Sequence, residues 1–179
     1  MTSTTMNQVH DSFERSEYSD DIFAVLGRAL TVATRFDAST KVLARLPDFK
    51  VSVLGKWSIT DDEYNEVLDT IALKYKILNN AILSLNTNED LLSILTVARE
   101  ARNEFIHEST IGCINGFDNQ SEVDISNFME HLEVLVRQII KGDIIISALI
   151  SYDNKEPISG YPFSAEYEKK YVNWVMNRF

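Results

Sequence analysis

Apolar residues recur at three- and four-residue intervals along almost the whole chain, and that spacing commits most of it to amphipathic helix. The first stripe is Ile22, Val25, Leu26, Ala29, Val32, Ala33, Phe36, Leu43 and Leu46, running from Ser19 to an expected stop at Pro47. Thr60 and Glu63 have the spacing of a capping box. They open a second stripe through Val67, Ile71, Tyr75, Leu78, Ile82 and Leu85, read as one helix ending at Asn86. Thr87 is the expected cap of a third helix, with Glu89 and Asp90 at its positive end and Gly112 as its terminator. A polar connection, Asn115 to Ser121, leads to a fourth stripe from Asp124 through Phe128, Leu132, Val136, Ile139 and Ile146, with Gly142 expected to kink or interrupt it. Tyr152 to Phe163 holds Pro157, Gly160 and Pro162 and reads as a loop, after which Ser164 caps a short last helix. The expected fold is all-α: an up-and-down bundle of four long helices plus a short C-terminal helix. Residues 19–179 form its single domain behind a flexible polar leader, residues 1–18. The pattern leaves the conformation of the Val51 to Ile59 connection open.

Charge narrows the function. The 17 Lys and Arg stand against 27 Asp and Glu, a formal charge of -10, which opposes broad attraction to nucleic acid or anionic lipid. An RNA substrate would need a local site. Cys113 is the single cysteine, so no internal disulfide forms, and no Cys/His cluster has zinc-ligand spacing. No apolar run approaches the roughly 20 residues that span a bilayer, and the first residues lack the pattern of an export signal. The expectation is a cytoplasmic protein with no membrane segment, no metal and no cofactor.

The segment with chemical content is Arg99 to Glu108, R-E-A-R-N-E-F-I-H-E. At about 100° per residue, Leu91, Leu95, Ala98, Phe105 and Ile106 fall on one arc of this helix, and Arg102 falls inside that arc. A cation there needs a partner or a cleft. Two readings stand side by side: Arg102 faces a site, or it makes a structural ion pair with an acidic residue of a neighbouring helix. His107 lies five residues on, which on a straight helix is about 7.5 Å along the axis and about 140° around it. The two converge on one group only through a helix end, a long reach by Arg102, or a second copy across a two-fold axis.

Arg102, polar Asn103, three further residues and His107 resemble the signature of the HEPN family, in which an arginine and a polar residue precede a histidine. The resemblance rests directly on Arg102 to His107; Ser109 stands where some HEPN toxins carry tyrosine. It implies an all-α, usually dimeric bundle with the motif near the dimer cleft. In many members it implies a metal-independent endoribonuclease of a toxin-antitoxin or defence system, countered by an antitoxin or other regulatory protein. The residue types suit that chemistry. Imidazole titrates near neutral pH, making His107 the candidate acid or base. Guanidinium matches phosphate oxygens, making Arg102 the candidate stabiliser of transition-state charge. Asn103 completes the set by bonding His107 or the substrate. The alternative expectation is a catalytically inactive HEPN-like helical protein that binds a partner protein or nucleotide as a regulator. Arg99 is a further possible cation at the site; Glu100, Glu104 and Glu108 read as a solvated stripe, and His10 and His131 as incidental. Trp57 and Trp174 read as core or interface anchors.

Overall fold

The structure, a computed structural model, describes residues 17–54, 58–109, 117 and 120–178. Among these, all regular structure is helical. Six α-helices follow in order: α1 (Glu17–Leu54), α2 (Asp61–Lys74), α3 (Leu78–Ser84), α4 (Glu89–His107), α5 (Glu122–Asp153) and, after a 3-10 turn at Tyr161–Phe163, α6 (Ala165–Val175). No helix among the described residues is long and apolar enough to cross a membrane. Most of the expected leader, with His10, lies outside the described residues, as do Trp57, Gly112, Cys113 and most of the Asn115 to Ser121 connection.

Side-chain pairings fix the helix directions. Ala98 of α4 meets Gly142 of α5, and six residues later Glu104 meets His131, so α4 and α5 run antiparallel. Arg35 pairs with Asp143 and Lys50 with Asp153, so α1 runs parallel to α5. Arg28 reaches the Val175 carbonyl while Arg35 lies over Tyr171, which makes α6 antiparallel to α1. The main core forms where these helices meet, around Phe36, Leu95, Phe105, Leu132, Ile139, Ile140, Ile146 and Val172.

The bundle differs from expectation in four places, each for a local reason. Pro47 does not stop the first helix, which continues to Leu54. The proline removes one backbone donor. The turn beyond it is held from outside: Asp48 accepts from Lys74 and from the Tyr75 hydroxyl at 2.8 Å, and Phe49 packs edge-on against Tyr64. The expected second helix is two, broken at Tyr75–Ile77, where Ile77 is extended. The break leaves α2 on a satellite core with Ala44, Ile71, Tyr75 and Ala81 and turns Leu78 and Ile82 into the main core. The cap of α4 is Asn88, whose side chain accepts from the Leu91 amide, in place of Thr87. Gly142 does not interrupt α5, which runs unbroken through 32 residues. Instead it is a point of close helix approach. A Cβ there would collide with the Ala98 side chain and lie 2.9 Å from a ring carbon of Phe36. The capping box at Thr60 and the cap at Ser164 are present as read, and a second box joins Ser121 to Asp124.

Asp143, next to Gly142, is fully buried. Arg35 closes on it with both arms of its guanidinium, Nε donating to Oδ1 at 2.9 Å and Nη2 to Oδ2, and the Tyr171 hydroxyl donates to Oδ2 at 3.3 Å. Those hydrogen bonds hold the Arg35 pKa above its ordinary value against the opposing effect of burial. Burial, with the adjacent Asp143 charge adding to it, pushes the Tyr171 hydroxyl well above the ordinary tyrosine range, although the Arg35 charge opposes the shift.

Two outcomes follow. Gly142→Ala is expected to lower the unfolding free energy by about 1–3 kcal/mol because α1 and α4 must move apart. Gly27→Ala, where nothing lies within 4 Å of the added carbon, is expected to raise it by about 0.5–1 kcal/mol. Urea titrations followed by circular dichroism compare the two. For Tyr171, a folded pKa above the unfolded one means the folded state holds its proton more tightly. The associated stability is present below about pH 10 and is lost as pH rises beyond it. Urea midpoints between pH 9 and pH 12 should therefore fall less steeply for Tyr171→Phe than for the wild type.

Candidate functional site

The break between α2 and α3 does more than redirect the chain. It turns Lys76, Ile77, Leu78 and Asn79 towards α1 and α4, where with Asp37, Lys41, Arg99, Arg102 and Asn103 they line a cleft of about 210 Å³. Each wall has a simple origin. Asp37 and Lys41 are one turn apart on α1, directly after buried Phe36. Arg99, Arg102 and Asn103 occupy adjacent positions on one side of α4, directly after buried Ala98. Four cationic side chains thus meet one carboxylate in a protein whose formal charge is -10.

Arg102 is the centre of this arrangement. Its side chain is 22% exposed and its three nitrogens have different fates. Nη1 donates to Asn103 Oδ1 at 3.0 Å. Nη2 lies 3.6 Å from Asp37 Oδ1, within ion-pair range but beyond a hydrogen bond. Nε is buried without a hydrogen-bond partner among the described residues, and so is Asp37 Oδ1. Asp37 Oδ2 is taken by Lys41 Nζ at 2.8 Å. Arg99 repeats the pattern: Nη2 bonds Glu100 Oε1 at 2.9 Å while its buried Nε has no hydrogen-bond partner among the described residues. Four cationic side chains against one carboxylate suit the cleft chemically to an anion.

Both sequence readings of Arg102 therefore find part of their object. Arg102 does have an acidic neighbour on another helix, but the pair is loose, and the side chain also opens onto a cleft. His107 is placed elsewhere. It is the last residue of α4, exposed, and it does not line the cleft. The helix is regular up to it, so within one chain Arg102 and His107 do not converge. Asn103 bonds Arg102 and not His107. Glu104, read as part of a solvated stripe, is tied to His131 at 2.7 Å, which gives that histidine a helix-bridging partner. Lys41, Lys76, Asn79 and Asp37 carry no sequence signal for a site. Asp37 and Lys41 have the spacing of an ordinary surface pair, and the α2–α3 break is invisible in an unbroken apolar period.

A wider groove of about 400 Å³ runs along α6 past Lys169, Lys170 and Trp174. It lies on one helix face, its Arg178 is committed to Glu133 at 2.5 Å, and its charges do not converge. Among the described residues no group of three or more His, Cys, Asp or Glu could hold a metal ion. No protein-family model, no curated protein and no solved structure matches this chain.

The loose Asp37 pair has a measurable consequence. Removing Arg102 leaves Asp37 with Lys41, so Arg102→Ala is expected to cost about 1 kcal/mol or less in unfolding free energy. A loss of about 3 kcal/mol or more would instead mark Arg102 as half of a structural buried pair.

Proposed function

We propose that this chain is a HEPN-like, metal-independent endoribonuclease in which the cleft around Arg102 receives an RNA phosphodiester. The observation that supports the reading is the local reversal of charge: Lys41, Lys76, Arg99 and Arg102 gather at one cleft of a protein whose formal charge is -10. Arg102 would hold a phosphate oxygen through Nη2, which Asp37 leaves beyond hydrogen-bond range, and stabilise the charge that grows on the phosphoryl oxygens as the 2'-oxygen attacks. Asn103 orients Arg102 through the bond to Nη1. His107, exposed at the end of α4, would act on the RNA held by a second copy, taking the 2'-hydroxyl proton or returning one to the 5'-oxygen leaving group. The products would be a 2',3'-cyclic phosphate and a 5'-hydroxyl. Two copies related by a two-fold axis would then carry two such composite sites.

A second reading is favoured by one observation, the absence of His107 from the cleft of its own chain. In that reading the cleft binds a nucleotide without cutting it, and the protein regulates a partner.

The test is purified protein with mixed RNAs in the presence of a chelator. Wild type is expected to cleave. Arg102→Ala should lower the rate by about 10²–10³-fold and His107→Ala by about 10²–10⁴-fold, both with the helical circular dichroism retained. Mixing the two inactive variants should restore part of the activity, because a mixed dimer contains one site with an intact Arg102 and an intact His107. Cleavage undiminished in His107→Ala, or a strictly monomeric active enzyme, would sink the composite site. No cleavage by wild type, together with nucleotide binding that depends on Arg102, would establish the second reading.

A further inference from the structure

Asp37 is the one carboxylate lining a cleft that holds four cations, and its geometry is unlike that of the arginine–aspartate pair between Arg35 and Asp143. Arg35 and Asp143 close fork to fork, with Nε–Oδ1 at 2.9 Å. Asp37 stands back from Arg102 at 3.6 Å, its Oδ1 unbonded and its Oδ2 held by Lys41. Asp37 is only 16% exposed and is held by Lys41, so its carboxylate is fixed in the cleft, and any ligand phosphate that reaches Arg102 Nη2 must sit near it.

Resting on the reading of the cleft as a phosphate site, we propose that Asp37 is its specificity-determining residue, a fixed counter-charge that narrows the advantage of highly charged phosphates over a singly charged phosphodiester. The reason is Coulombic. The attraction from Lys41, Lys76, Arg99 and Arg102 and the repulsion from Asp37 both grow in proportion to the ligand's charge, so the counter-charge takes most from the most highly charged anion at close range in a partly desolvated cleft. An internal phosphodiester of a nucleic acid carries one charge; inorganic phosphate, a terminal phosphomonoester and pyrophosphate carry more. Without Asp37 the cleft would favour the small, highly charged anions. With it, that advantage is smaller, and an internal linkage competes better with a free or terminal phosphate at the binding step. Asp37 also has a holding role, since it keeps the Lys41 ammonium and the Arg102 guanidinium, two like charges, facing one cleft before a ligand arrives.

The experiment titrates full-length wild type and Asp37→Asn with three probes, followed by amide chemical shifts of the α4 residues. The probes are inorganic phosphate, pyrophosphate and a deoxydinucleotide carrying one phosphodiester and no 2'-hydroxyl to react. In Asp37→Asn the diester is expected to bind about threefold tighter and pyrophosphate about tenfold tighter or more, because the relieved work scales with charge. The same variant should melt at a lower temperature than wild type without ligand and gain more from added pyrophosphate than wild type does. Asp37→Ser is run in parallel in case the asparagine variant misfolds, with the same ordering expected. Equal tightening for all three probes, or weaker binding of all three, overturns the specificity role of Asp37 while leaving the phosphate site standing. No binding of any probe to wild type or either variant overturns both.

Discussion

Gly142 lets α5 come against the Phe36 ring of α1 and the Ala98 methyl of α4 at the same level, and the spacing of the three long helices follows from that contact. The two residues touched by Gly142 are also the ones that position the cleft. Asp37 is the next residue after Phe36, and Arg102 lies one turn beyond Ala98 on the same side of α4. Asp37 and Arg102 therefore face each other beside that contact, 3.6 Å apart. A larger residue would strain the core and widen the cleft through the same displacement.

Two arginine–aspartate pairs sit close to that contact, and the difference between them separates holding the fold from leaving a site open. Asp143 is fully buried, and it is satisfied on both oxygens by Arg35 and Tyr171, so its desolvation is offset by close hydrogen bonds. Arg35 itself is half-exposed and still reaches water. Around Arg102 the bonding is incomplete: Asn103 takes one nitrogen, Asp37 stands beyond hydrogen-bond range of another, and the third has no partner among the described residues. Of these two pairs, the one at Asp143 is closed by direct hydrogen bonds and the one at Asp37 is not.

What the sequence made legible is what short-range chemistry decides. Helical periodicity located the stripes, and Thr60 with Glu63 and Ser164 located caps, because a cap depends on residues within one turn of itself. The suspicion attached to Arg102 was also readable, since placing a charge on an apolar arc requires only the helical angle. The rest depended on contacts between segments. Pro47 normally ends a helix, and only Asp48 and Phe49 reaching the separate segment around Tyr64 to Tyr75 carry α1 past it. Tyr75–Ile77 contains neither glycine nor proline, and the apolar period continues through it. The break follows from packing, with Ile71 and Tyr75 going to one core and Leu78 and Ile82 to the other. Lys76 and Asn79 reach the cleft only because of that break. Asp143 was hidden for a similar reason: a lone carboxylate in an apolar stripe is satisfied by Arg35, which lies 108 residues away in sequence.

The separation of Arg102 and His107 turns a spacing into a statement about assembly. Five residues of regular helix point the two side chains about 140° apart, and the backbone of α4 has no feature before His107 that would undo the rotation. A phosphate seated at Nη2 of Arg102 is accordingly out of reach of the imidazole of the same chain, whereas His107, exposed at the end of its helix, faces outward. If the two act on one phosphodiester, the second must come from another molecule, and the acidic exterior bears on that arrangement. Copies of net charge -10 repel at long range. The contact between them must therefore draw on apolar surface or on opposite charges brought close, and an RNA chain threaded between two cationic clefts supplies opposite charge where the clefts face it. Substrate and second copy would then favour each other's binding, which ties the activity of such a protein to its concentration and to the presence of its target.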